Sequence, residues 1–124
     1  MKKHYIPDQN DIIWLDFEPT KGKEMGKYRP ALVLSPKEYN QARDLVICCP
    51  ISTSIRNQLS EVAINNLEQA SVVVTTIIQT ASWTNRRMKF ITHAEDNVMR
   101  SVLQRLIPLI GADKILLESA GISR

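Results

Sequence analysis

Cysteine and glycine are both scarce in this 124-residue chain, at two and four copies. The two cysteines, Cys48 and Cys49, are adjacent, so no CxxC spacing exists to hold zinc. In an extended segment neighbouring side chains point to opposite faces, which makes a disulfide between them geometrically poor. The expectation is one buried thiol and one packed on a strand surface. Long apolar runs are also missing. Nothing approaches the roughly 18 residues of a membrane span. The basic start at Lys2 and Lys3 has no apolar region behind it, as a secretory signal would. A cytoplasmic chain with no membrane contact is expected. No cofactor or metal is implied, because Asp8, Asp11, Asp16 and Glu18 lack ligand spacing and His4 lies far from His93. Neither a Ser/His/Asp triad nor a phosphate-binding glycine loop is visible.

A strong charge of one sign is absent too. Sixteen basic and thirteen acidic residues leave a net charge of +3, which by itself says little about partners. The distribution says more. Lys21, Lys23, Lys27 and Arg29 fall in one loop, and Arg86, Arg87 and Lys89 in another, with Trp14, Tyr28 and Trp83 near them in sequence. Cations for phosphates beside aromatic faces for bases suit a single-stranded nucleic acid. Two solvated loops are the plain alternative.

What is present reads as one mainly β domain, 44% hydrophobic. Asp11 to Phe17 forms a strand with one well-buried face, and Asp16 is expected to point away from it. Glu18 to Tyr28 is a long loop holding Pro19, Gly22 and Gly26, and Ala31 to Leu34 a short strand. Ser35, Pro36 and Glu38 make a capping box for a short helix. Strands follow at Leu45 to Cys49 (closed by Pro50), Glu61 to Ile64, Val72 to Ile78 and Met88 to Thr92. Thr92 and Glu95 form a second capping box, opening a helix with Val98, Met99, Val102, Leu103, Leu106, Leu109 and Ile110 at helical spacing. Pro108 disturbs its end and Gly111 stops it; Asp113 to Ser119 is a further helical turn before a frayed tail. Many short strands with a capping helix predict a compact antiparallel barrel or half-barrel with peripheral helices.

One block is more specific than composition. Asp11-Ile12-Ile13-Trp14-Leu15-Asp16-Phe17 leads into a loop with Pro19, Gly22 and Glu24, and then directly into Arg29-Pro30-Ala31-Leu32-Val33-Leu34-Ser35. A second block is Cys49-Pro50-Ile51-Ser52-Thr53; Asn40 and the ending Leu109-Ile110-Gly111 fit as well. These residues resemble the MazF/PemK/Kid toxin family over about residues 5–111. The resemblance implies an SH3-like β-barrel with a C-terminal helix, a toxin domain at 1–111 and an extension at 112–124. It also implies a homodimer and a cognate antitoxin whose acidic C-terminal segment covers the RNA site. The implied activity is metal-independent, sequence-selective cleavage of single-stranded mRNA. Attack by the 2′-hydroxyl would leave cyclic phosphate and 5′-hydroxyl ends and arrest translation.

Such cleavage needs the hydroxyl proton removed, charge on phosphorus stabilised and the leaving oxygen protonated. By resemblance Arg29 is the catalytic arginine, and a permanently protonated planar fork suits phosphate stabilisation rather than base work. Ser52 takes the place of the family's hydroxyl residue, with Thr53 the neighbour one register away. Glu24 is the loop carboxylate that orients Arg29 or the loop. Lys21, Lys23, Lys27, Tyr28, Thr53, Arg56, Arg86 and Arg87 are the candidate RNA contacts. Base selectivity is expected from the loops Ile51 to Leu59 and Asn85 to Lys89. The strand before Trp83 departs from the pattern. Thr76 and Ile77 stand where many relatives carry an Asp-Gln pair, and Val74 stands for an arginine, so that strand offers no carboxylate base. A non-catalytic protein that binds a protein target through its C-terminal helix, as gyrase-poisoning relatives of this barrel do, is the alternative. A degenerate member that only binds antitoxin is another.

Overall fold

The computed structural model describes residues 4–17, 27–84 and 87–122. Seven strands and three helices follow in the order β1 (Asp11–Phe17), β2 (Lys27–Val33), α1 (Lys37–Arg43), β3 (Leu45–Ser52), β4 (Glu61–Ile64), β5 (Ser71–Val74), β6 (Gln79–Ser82), β7 (Lys89–His93), α2 (Val98–Leu109) and α3 (Ala112–Ser119). The pairings are antiparallel and run β4-β5-β3-β2-β1-β7, with β6 also on β3. The mainly β class with peripheral helices is as expected. Among the described residues the sheet curls without closing, since its end strands β4 and β7 do not pair. No described helix is long and apolar enough to cross a membrane.

Strand alternation builds two cores, one on each face of the central strands. Ile12, Leu32, Cys49 and Ile51 point to one face, where Val62, Ile64, Val73 and the α2 residues Val98, Val102 and Leu106 cover them. Ile13, Leu15, Phe17, Ala31, Val33, Val46 and Cys48 point to the other, where Tyr5, Ala81, Trp83 and Met88 pack on them. Both cysteines are therefore fully buried, in different cores, rather than one lying at a surface. Burial pushes both thiols up to about 12, with Cys49 adding to the effect on Cys48. Neither is a reactive thiolate near neutral pH.

Several boundaries differ from the sequence reading. β2 begins at Lys27, so Tyr28 and Arg29 lie within a strand and not in the preceding loop. β3 passes through Pro50, which sits opposite Ala31, and ends at Ser52. The β-branched run breaks after Val74, where the Thr75 hydroxyl donates to Ser60 O and anchors a turn. In α2 the apolar stripe is buried only at Val98, Val102 and Leu106, while Leu109 and Ile110 are exposed beside the exposed Ile115 and Leu116 of α3. Gly111 does occupy the left-handed position after α2, at φ 76°, as expected of a helix stop.

Neither capping box forms. Pro36 is the N-cap of α1, with no side-chain cap. The Ser35 hydroxyl instead donates to Asn40 Oδ1, and its oxygen accepts from Ile47 N at 2.9 Å. Asn40 is wholly buried and donates to Pro7 O at 2.8 Å and Ser35 O at 3.1 Å, while its own carbonyl accepts from Trp83 Nε1 at 2.8 Å. Thr92 and His93 belong to β7, paired with Ile12 and Asp11. Glu95 accepts from Asn65 N, and α2 starts only after Asn97, held at φ 73°.

The segment before β1 is clasped by Asp11, a buried carboxylate. Its Oδ2 accepts from the Tyr5 hydroxyl and from Asp8 N at 3.0 Å, and its Oδ1 lies 2.8 Å from His93 Nδ1. Burial, the bond to Asp11 and the charges of Asp11 and Asp8 raise the Tyr5 pKa well above its ordinary 10.0. Two outcomes follow for stability. Asn40→Ala, which strands the Ser35 hydroxyl and the Pro7 carbonyl, is expected to lower unfolding free energy by about 2–3 kcal/mol in urea titrations. Tyr5 holds its proton more tightly folded than unfolded, so its contribution is full below pH ~10 and declines above it. Tyr5→Phe should remove that alkaline slope when urea midpoints are compared between pH ~9 and ~11.

Candidate functional site

Arg29 lies in the middle of β2, half-buried, opposite Leu15 of β1. Alternation places it on the same face as Ala31 and Val33. The pairing of β2 with β3 is recorded from Val33↔Cys48 to Ala31↔Pro50. Both strands continue beyond that point, and the same register carried two residues further sets Arg29 level with Ser52. The two therefore share one face, at the end of the core formed by Leu15, Phe17 and Ala31.

Ser52 ends β3, opposite Val72. Its Oγ accepts from Ser54 N at 3.0 Å, which holds the oxygen in a turn while leaving the hydroxyl proton to donate elsewhere. Thr53 is exposed just beyond the strand. Arg56 is exposed, and its backbone N–H donates to the Glu61 carboxylate at 3.1 and 3.2 Å. Glu24, Lys21, Lys23 and Arg86 lie outside the described residues, as does the side chain of Lys27. Thr76 is exposed in the turn after β5, and Val74 ends that strand.

Tyr28 precedes Arg29 by one residue and so points to the other face. It stacks on Trp14 with ring centroids 5.1 Å apart and planes 19° from parallel. The Arg87 guanidinium carbon lies 4.0 Å from the Tyr28 ring centroid, and Arg87 Nη1 is 3.1 Å from Asp16 Oδ2. The Tyr28 hydroxyl donates to Arg87 O at 2.6 Å. Trp14 and Arg87 thus both lie against the Tyr28 ring. Trp83 does not join this group: it packs on the opposite core and donates to Asn40 O.

The sequence-derived candidates thus divide by face. Arg29 and Ser52 come together on one side, and Tyr28 and Arg87 on the other. Asp16, which points outward as expected, pairs with Arg87. The alternation Trp14-Leu15-Asp16 is the sequence signal for this, since it puts Trp14 and Asp16 on one side of β1. Gln79 of β6 pairs with Cys48, and its buried Oε1 has no hydrogen-bond partner among the described residues. A separate cleft of about 530 Å³ near Tyr5, Lys37 and His93 lies at the start of β1, away from Arg29. Among the described residues no three His, Cys, Asp or Glu side chains gather as a metal site.

Comparison with known proteins accounts for most of the chain. Residues 8–110 match the family described as PemK-like, MazF-like toxin of type II toxin-antitoxin system. The endoribonuclease toxin MazF of Escherichia coli (strain K12) is 37% identical over 86 residues, 69% of this chain and 78% of that protein. The fold superposes on MazF from Deinococcus radiodurans with a TM-score of 0.81 at 34% identity, covering 87% of this chain and 99% of that one. A MazE-MazF structure from the same organism gives 0.76 at 34% identity, covering 87% and 98%. With a family match spanning every described strand and α2, this chain belongs to the PemK-like, MazF-like toxins of type II toxin–antitoxin systems.

Proposed function

We propose that the protein is an endoribonuclease toxin that cuts single-stranded mRNA by attack of the 2′-hydroxyl next to the scissile phosphate. The observation that carries this reading is the shared face and level of Arg29 and Ser52 on adjoining strands. A guanidinium there neutralises the extra negative charge as phosphorus becomes five-coordinate. The Ser52 hydroxyl, with one lone pair held by Ser54 N, relays a proton: its other lone pair accepts the proton of the attacking 2′-hydroxyl as its own proton passes to the leaving 5′-oxygen. Glu24, in the segment before β2, is the proposed carboxylate that orients Arg29 or that segment's backbone. Products are a 2′,3′-cyclic phosphate and a 5′-hydroxyl, and no metal enters the sequence of steps.

The domain responsible is proposed as 1–111, with 112–124 as an extension that includes α3. Related toxins are solved together with MazE. By analogy a cognate antitoxin with an acidic segment is proposed to cover the Arg29 face, and a homodimer to form the working unit. The setting is cytoplasmic.

Purified protein incubated with mixed-sequence RNA in EDTA should cut it and leave cyclic phosphate ends. Arg29→Ala should lower the cleavage rate by about 10²–10³-fold, in the range seen on removing one donor from a charge-stabilising site. Ser52→Thr should retain activity and Ser52→Ala should not. RNA left intact by the wild type, together with growth arrest on expression, would defeat the nuclease reading and turn attention to a protein target.

A further inference from the structure

The opposite face of β2 carries a group that the cleavage chemistry does not use. Trp14, Tyr28 and Arg87 form one contiguous group, with 5.1 Å between the ring centroids and 4.0 Å from guanidinium carbon to phenol centroid. The arginine is fixed on two sides. Asp16 holds Nη1 at 3.1 Å, and the Tyr28 hydroxyl grips the Arg87 carbonyl at 2.6 Å. With that anchoring, the Arg87 side chain is still 53% exposed. An arginine lying over an aromatic ring and half open to solvent offers its outer side to another flat group. In single-stranded RNA, unpaired bases stack on guanidinium planes as they do on aromatic rings.

We infer that Arg87 is a base-stacking platform: an unpaired RNA base stacks on the exposed guanidinium that lies over Tyr28. Trp14, Tyr28 and Asp16 are its positioning residues. The inference rests on the proposed RNA substrate and goes beyond it in assigning a distinct subsite. Arg29 and Tyr28 are consecutive on an extended strand, so the stack and the cleavage residues face opposite ways. The stacked base is therefore one that flanks the scissile phosphate. Pre-ordering of the arginine by Asp16 and Tyr28 removes much of the entropy loss that a free surface side chain would incur on binding.

Uncleavable 2′-O-methyl oligonucleotides carrying a single 2-aminopurine at successive positions test this with the full chain, because stacking quenches that base. Wild type should quench one flanking position. Arg87→Lys keeps the charge and loses the plane, so quenching should disappear and affinity should fall about tenfold, as for loss of one base stack. The dependence of affinity on salt should stay unchanged, because the number of phosphate contacts is the same. Asp16→Asn should weaken the quench without abolishing it, and thermal melting of each variant checks the fold. Retained quenching and affinity in Arg87→Lys would overturn the platform and make Arg87 a simple phosphate contact. A wild type that cuts RNA yet quenches no position would overturn this inference alone. A wild type that binds no oligonucleotide and leaves natural RNA intact would overturn the nuclease reading as well.

Discussion

The pleat of three adjoining strands organises this molecule. β1, β2 and β3 are covered on both sides, so consecutive residues enter different cores: Ile12 and Ile13, Leu32 and Val33, Cys48 and Cys49. A slip of one residue in any of these strands would exchange two apolar sets of different shape and expose neither cleanly, which locks the register. The same alternation acts at the far end of the strands, where the apolar residues give way to polar ones. It sends Arg29 toward Ser52, and Tyr28 toward Trp14 and Arg87. Core packing thereby decides which cations can act together.

Electrostatics at the two faces then differ in kind. On the Arg29 face a half-buried guanidinium lies near a hydroxyl whose oxygen is already tethered, an arrangement suited to charge that appears only during reaction. On the Arg87 face the cation is held by a carboxylate and a ring, an arrangement suited to steady binding. Thirteen acidic residues offset the sixteen basic ones and leave a small net charge, so placement matters more here than a broad positive field.

Polar residues also shape the fold by competing for partners. Ser35 and Glu95 stand at positions from which either could cap a helix. Each makes a tertiary bond instead, Ser35 with Asn40 and Ile47 N, Glu95 with Asn65 N. A capping bond satisfies one exposed N–H, whereas the Ser35–Asn40 group satisfies several buried atoms for which water is not available. His93 follows the same logic. Its place in β7 beside Asp11 answers a buried carboxylate, a demand set by the pairing of β1 with β7.

Strand periodicity, the apolar stripe of α2, the stop at Gly111 and the family blocks around Trp14, Arg29 and Ser52 were all legible in the order of residues, because each depends on spacing along the chain. The mainly β class followed from them. Which hydroxyl caps and which one braces, that both cysteines are buried, and that Trp83 leaves the aromatic group while Asp16 joins it were decided by tertiary structure. Those outcomes depend on what lies across a strand, and sequence spacing carries no information about the identity of that neighbour. The adjacency of the two cysteines spoke against a disulfide between them and left no CxxC spacing; only the packed sheet determined which of the basic and aromatic residues meet.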